Sequence, residues 1–222
     1  MSSWVDFEFF DHLYRSRKTL LRILADRGYN TKPFENFGPD EIEAMVVAGG
    51  NANALRMDLE RPKPADSTVT KCRVIYSLTK LKSRLSSFLY GLTSNEPGAE
   101  LAIDPTTTEV VVMLAAPEGE PVVDLYHSAA YEQYSSIGLR ISFFRIANLV
   151  IHPSDHELVP KHQKLSEEEI PFPKSERHKL PFIRFHEDMQ ARILGLVPRD
   201  IVKITRPSPS SGVYTMYRIC SP

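Results

Sequence analysis

Apolar positions in the first part of the chain recur with helical spacing. Phe9, Phe10, Leu13, Leu20, Leu21 and Leu24 form one stripe, which predicts a helix over residues 4–27. Arg15, Arg17, Lys18, Arg22 and Arg27 fall mostly off that stripe, as on a solvated helix face. Gly28 follows where a left-handed C-terminal cap belongs. A second, shorter helix is predicted from Pro39, with Asp40 and Glu41 complementing its positive end and Ile42, Met45 and Val46 facing inward. The run Gly49-Gly50-Asn51 ends it.

The period then changes to two. Leu55, Met57 and Leu59 alternate with Arg56, Asp58 and Glu60, which reads as a half-buried strand. Residues 69–78 are a second strand. Leu78, Leu81, Leu85, Phe88, Leu89 and Leu92 return to helical spacing up to the turn Asn95-Glu96-Pro97-Gly98. The apolar run 109–116 reads as a strand covered on both faces, and residues 139–151 as a β-rich stretch with a break at Ala147-Asn148. Strands mixed with helices in this order predict an α/β layer domain over residues 1–147.

Beyond residue 147 the texture is different, and a second, small α+β domain is predicted over residues 148–222. Nine of the 17 prolines fall after residue 152. Ser166 and Glu169 have capping-box spacing, but Pro171 and Pro173 limit any helix there to about one turn. Residues 187–196 read as a short helix closed by Gly195 and Pro198. Residues 201–206 and 213–219 flank Pro-Ser-Pro-Ser-Ser-Gly and predict a terminal β-hairpin.

The 222 residues carry 27 Lys+Arg and 28 Asp+Glu, a net charge of −1, with 42% apolar residues. Mean hydropathy is −0.25. Residues 1–150 hold 16 basic and 19 acidic side chains; residues 151–222 hold 11 and 9. Neither part has the cationic excess that drives independent nucleic-acid binding. The N-terminus carries Asp6, Glu8 and Asp11 within its apolar part, unlike a secretory signal, and no apolar run approaches the ~18 residues of a membrane span. Two distant cysteines, Cys72 and Cys220, do not suggest a disulfide framework. An intracellular, soluble protein is expected, with no membrane partner.

Searching for chemistry yields little. His152, His156 and His162 lie close in sequence with Asp155 and Glu157 between them, a spacing that suits either a divalent metal or a series of local turns. Pro153 and Pro160 remove the continuous helix that makes an HExxH pattern specific. A Mg²⁺ nuclease needs paired acids and a nearby lysine; Asp40 supplies one acid, but Glu60-Arg61-Pro62-Lys63 misses the spacing. No GxGxxG, Walker-type or GxSxG motif is present. These observations name no catalytic residue, no cofactor and no metal site.

A family resemblance is more specific. His156-Glu-Leu-Val-Pro-Lys-His162 with Leu165-Ser166-Glu-Glu-Glu169 resembles the signature of the H-type subunit of RNA polymerases, the fifth-largest, shared subunit of eukaryotic polymerases I, II and III. So do Ile193-Leu-Gly-Leu196, Asp200-Ile-Val-Lys-Ile204, Arg206-Pro-Ser208, Ser211-Gly212 and Tyr217-Arg218-Ile219. Leu13-Tyr14-Arg15 through Asp26-Arg27-Gly28-Tyr29 resembles the family's first helix, which archaeal H subunits lack. The resemblance implies a non-catalytic, nuclear subunit of a DNA-dependent RNA polymerase. Its C-terminal assembly domain would dock on the largest subunit, in the company of other core subunits, through His156, Leu158, Val159, Pro160, His162, Arg206, Tyr217 and Arg218. Its N-terminal jaw domain, with nuclease-like layers lacking an active site, would lie near downstream duplex DNA, with Arg15, Arg17, Lys18 and Arg22 closest.

The chain departs from that pattern in three places. Ile170-Pro-Phe-Pro173 shortens a longer family helix, Pro198-Arg199-Asp200 replaces Pro-Gly-Asp, and a DNA-facing loop is not recognisable in residues 126–136. A paralogue restricted to one polymerase fits these departures. Two other readings stand beside the subunit: a metal-dependent nuclease or hydrolase using His152, His156 and His162, and a transcription adaptor outside the polymerase.

Overall fold

The computed structural model describes residues 3–49, 52–63, 67–79, 81–94, 101–115 and 124–222, and it divides into two compact units, Met1–Ile151 and His152–Pro222. It is mixed α and β throughout, with one four-stranded sheet in each unit.

The N-terminal unit begins with α1 (Ser3–Asp26). Leu13, Leu20, Ile23 and Leu24 are almost wholly buried on its inner stripe. Gly28, at φ +88°, ends it: Tyr29 N–H reaches back to Leu24 O (3.0 Å) and Gly28 N–H to Ala25 O (2.8 Å), closing the orphan carbonyls of the last turn. The second helix, α2 (Pro39–Gly49), starts at the predicted proline with Asp40 and Glu41 in its first turn. The residues 50–51 expected to end it, and the turn expected at 95–98, lie outside the described residues.

The sheet runs β1 (Met57–Glu60), β2 (Lys71–Ser77), β3 (Thr108–Leu114) and β4 (Ile141–Arg145), in that spatial order. The β1–β2 pair is antiparallel, while β2–β3 and β3–β4 are parallel. Helices α3 (Leu85–Thr93) and α4 (Asp124–Ile137) make the two parallel crossovers. All seven β3 residues are buried, as the uninterrupted apolar run predicted. Phe143 of β4 meets Tyr126 of α4 with ring centroids 4.9 Å apart.

Several expectations are corrected. Leu78 and Leu81 precede α3, which is led in by a 3₁₀ turn at Lys82–Arg84; Leu81 is still buried, so the apolar stripe outruns the helix. Residues 146–149 form a 3₁₀ turn that buries Ile146 and Leu149, so β4 ends before the expected break. Helix α4 had no sequence expectation, because its buried side is only Tyr126, Ala129 and Ala130.

The C-terminal unit contains β5 (Lys161–Lys164), β6 (Phe182–Arg184), α5 (Met189–Leu194), β7 (Ile201–Ser208) and β8 (Gly212–Ser221). Its sheet order is β5-β7-β8-β6, antiparallel except for the β6–β8 pair. The hairpin β7–β8 falls where predicted; β5 and β6 are too short and too polar to show a period. Asp188 caps α5 by accepting from Gln190 N–H (2.7 Å), and Gly195 closes it at φ +63°. The Ser166 amide and hydroxyl both donate to Glu169 Oε2, at 2.9 and 3.0 Å, while the Glu169 amide donates to Ser166 O (3.1 Å) rather than to the hydroxyl, and only a turn follows. Pro171 removes the next amide donor.

Candidate docking site

The 152–162 segment is a run of tight turns, each headed by a histidine. His152 Nδ1 accepts from Ser154 N–H (3.2 Å) at the start of a 3₁₀ turn, Pro153–Asp155. His156 Nδ1 accepts from Leu158 N–H (3.2 Å), while Val159 N–H donates to His156 O (2.9 Å). His162 instead places Nδ1 2.7 Å from Pro160 O, which requires the proton on Nδ1. The first two rings therefore offer a bare Nδ1, whereas the third carries a proton there. Each imidazole is occupied in organising the backbone two residues away, the arrangement that Asx side chains make in turns.

This occupation decides between the two meanings of the His spacing. Among the described residues, no three His, Cys, Asp or Glu side chains come together as a metal would require. What the turns do is present Leu158, 83% exposed, at their tip, with Val159 and Pro160 half-buried behind it. An exposed leucine on a loop stiffened by proline is poised for contact at low entropic cost.

The sheet distributes the other sequence-predicted docking residues over two faces. His162 lies opposite Ile204, and Ile204 opposite Met216, so His162, Arg206 and Arg218 share one face by alternation. The Arg206 guanidinium stacks 5.0 Å from the Tyr214 ring centre, and Arg218 donates to Phe182 O (2.8 Å). Tyr217 points to the opposite face, where Phe172 meets it edge-on at 5.0 Å. Phe172 belongs to the proline-rich segment Ile170-Pro-Phe-Pro173. That segment is held by a bidentate Arg177–Glu167 pair at 2.9 Å, and the guanidinium holds the Glu167 carboxyl below its usual range.

Arg199 occupies the position where the resemblance expected glycine, and it has φ +81°. Its amide bonds Cys220 O (2.9 Å), while Val197 N–H donates to Asp200 Oδ2 (2.7 Å) and Lys164 pairs with Asp200 at 2.9 Å. The surrounding turn holds an arginine in a region that side chains other than glycine adopt only at a cost.

On α1 the cationic residues separate sharply. Arg15 is exposed and pairs loosely with Asp11 (3.5 Å), Lys18 is exposed above the Tyr14 ring at 5.4 Å, and Arg22 is exposed. Arg17 is different, and its place among surface cations is corrected: it is 3% exposed, donates to Leu55 O (3.0 Å) and stacks near Phe37 and Tyr76, each at 5.9 Å. Arg27 also leaves the solvated face, pairing with Glu109 of β3 at 3.0 Å in a buried ion pair. Helical spacing cannot show this, because the partners are remote in sequence. Burial and the nearby Glu109 charge push the Tyr29 phenol well up, and burial does the same to the Cys72 thiol. Cys220 is pushed up to about 12 by burial, so neither cysteine is a poised nucleophile.

Among the described residues, then, the C-terminal unit exposes the tip of a stiffened turn and part of a sheet. Comparison with known proteins makes the class specific. The family described as RNA polymerase Rpb5, C-terminal domain, matches residues 151–220. Over 217 residues the chain is 25% identical to DNA-directed RNA polymerases I, II, and III subunit rpabc1 of Dictyostelium discoideum, covering 96% of this chain and 99% of that one. The RPABC1 subunit of Caenorhabditis elegans is 24% identical over 229 residues, with 93% and 94% covered. DNA-directed RNA polymerase subunit Rpo5 of Sulfurisphaera tokodaii is 43% identical over 76 residues, 32% of this chain and 89% of that protein. The chain belongs to the Rpb5/Rpo5 family of RNA polymerase subunits.

Proposed function

We propose that this chain is a non-catalytic, structural subunit of a DNA-directed RNA polymerase, held in the assembly by its C-terminal unit docking on the largest subunit. Family membership supports the assembly. The observation that carries the docking reading is the 156–160 turn, where a 83% exposed leucine is fixed by an imidazole–backbone bond and followed by proline. His156, Leu158, Val159, Pro160 and His162 form one contact surface, Arg206 and Arg218 extend it along one face of the sheet, and Tyr217 contributes from the opposite face beside Phe172. The N-terminal unit serves as part of a jaw near downstream duplex DNA, with Arg15, Lys18 and Arg22 as the cations that face it. A few such contacts position a duplex without an independent binding field, which fits the near-zero net charge. The site of action is the nucleus. The metal-enzyme reading and the free adaptor reading have no supporting observation.

Incorporation of tagged variants into polymerase tests this reading. Pro160→Ala and His162→Ala are expected to reduce co-purification of the largest subunit by about tenfold, the loss of roughly 1.4 kcal/mol. Arg22→Ala should leave it unchanged. Equal incorporation of all three variants would remove the 156–162 turn from the interface.

A further inference from the structure

The outer edge of β8 carries a feature that the docking residues do not use. Strand β8 pairs with β7 over Gly212–Ile219, but with β6 only over Ile219–Ser221. Backbone direction follows from the bonds at its end. Cys220 N–H points inward, to Asp200 O at 2.8 Å, and Ile219 N–H points outward, to Pro181 O at 3.0 Å. Alternation along an antiparallel strand then turns the N–H and C=O of Tyr217 and Thr215 outward as well. Pro181 lies just before β6 and has no N–H to continue the ladder toward Tyr217 O, so β6 cannot extend along this edge. Among the described residues, no hydrogen bond joins the Thr215 or Tyr217 backbone to a neighbouring strand on that side.

The sequence of this edge does nothing to protect it. Gly-Val-Tyr-Thr-Met-Tyr, residues 212–217, has no charge and no proline and is rich in β-branched and aromatic residues. Val213 and Tyr214 are 62% and 45% exposed. Sheet edges left open to solvent are ordinarily blunted by lysine, proline or a bulge. The ribbon of residues 201–219 contains Lys203, Arg206 and Arg218 and no acidic residue. Two such ribbons placed edge to edge would gather four arginines, Arg206 and Arg218 of each, with no acidic residue in either ribbon, which disfavours a second copy as occupant.

We propose that residues 213–217 of β8 receive an extended, acidic strand from another subunit of the polymerase, adding a fifth strand beside β8. Main-chain bonds to Thr215 and Tyr217 supply affinity, and a carboxylate answers Arg218 at the end of that edge. This rests on the docking reading above and adds to it a second contact of defined chemistry.

Thr215→Pro removes an outward N–H while sparing the β7–β8 ladder. The full-length tagged chain and this variant are expressed in cells, and recovery of the largest subunit is compared. The wild type is expected to recover polymerase and the variant about tenfold less, the loss of one or two main-chain bonds. Absence of polymerase with the wild type would overturn the docking reading. Polymerase recovered equally by wild type and a folded Thr215→Pro would overturn the strand addition alone. Should Thr215→Pro melt early, hydrogen exchange on the wild type decides: the Thr215 and Tyr217 amides must slow at least about tenfold in polymerase relative to the free chain, and unchanged rates overturn the proposal. A photoreactive residue, Thr215→benzoylphenylalanine, is expected to cross-link an acidic segment of another subunit. A basic segment, or a second copy of this chain, would overturn the assignment of the occupant.

Discussion

Strands β3 and β8 are both rich in β-branched and apolar residues, yet they end in opposite situations. Every side chain of β3 is buried, between parallel neighbours on both sides. Only Cys220 of the ten β8 residues is buried, and much of the strand has a neighbour on one side alone. The first strand spends its hydrophobicity on holding its own unit together. The second leaves it available to something else. Strand β3 makes a rigid body, and in the proposal above β8 is the strand that joins that body to a larger assembly.

The largest test of this contrast is truncation inside each sheet. Phe143→Ala on β4, beside β3, is expected to cost about 3–5 kcal/mol, as for other fully buried aromatic residues. Thr215→Ala on β8 should move stability by no more than ~0.5 kcal/mol. Urea unfolding of the full chain checks both, and comparable losses would erase the difference between the two strands.

The ion pair behind β3 sharpens the contrast next. Arg27→Met leaves the Glu109 carboxylate buried without its partner, and a loss of about 3 kcal/mol is expected at neutral pH. The double variant with Glu109→Leu should recover most of that stability. Arg22→Ala, at an exposed position of α1, should stay within ~0.5 kcal/mol. If Arg27→Met were equally silent, Arg27 would belong with the surface cations after all.

In the C-terminal unit, Arg199→Gly is expected to stabilise rather than weaken. A left-handed φ costs a side-chain-bearing residue about 1–2 kcal/mol, and glycine's extra freedom when unfolded returns part of the gain. A rise of a few degrees in melting temperature is the readout. A fall would mean that the Arg199 side chain is used.

The smallest effect is acid loosening of the proline-rich segment against Tyr217. Glu167 and Glu169 have carboxyls held below their ordinary value of 4.5, by bonds to Arg177 and Ser166 respectively. Lowered folded-state values mean that these contacts add stability above the ordinary range and lose it as pH falls through the lowered values. Protection factors in residues 166–180, taken relative to the slower intrinsic exchange at low pH, should therefore fall selectively in acid, before those of the N-terminal sheet. Glu167→Gln should abolish part of that pH dependence.

How much of this was legible beforehand follows from where each signal resides. The helices α1 and α2, the apolar run Val110–Leu114 of β3 and the terminal hairpin write their periods into contiguous residues, and all were readable. The edge strands β5 and β6 were not, because Lys161-His-Gln-Lys164 and Phe182-Ile-Arg184 are too short to display a period. Helix α4 hides because tyrosine and two alanines suffice to pack it. The proposed docking segment was visible as a family resemblance in residues 156–162, whereas the bonds from its imidazoles to nearby backbone needed backbone geometry. The misplacement of Arg17 has the same origin: Leu55 O, its acceptor, lies 38 residues away. The free edge of β8 is a property of strand pairing, and the hairpin's sequence alone carries no sign of which side stays open.

Purification of the tagged full-length chain from its own cells, with every co-purifying subunit identified, tests the central claim most directly. The account predicts near-stoichiometric recovery of a polymerase largest subunit with other core subunits, and the set of largest subunits recovered reveals whether the chain is shared or restricted. Recovery of the chain free of any polymerase subunit would contradict it.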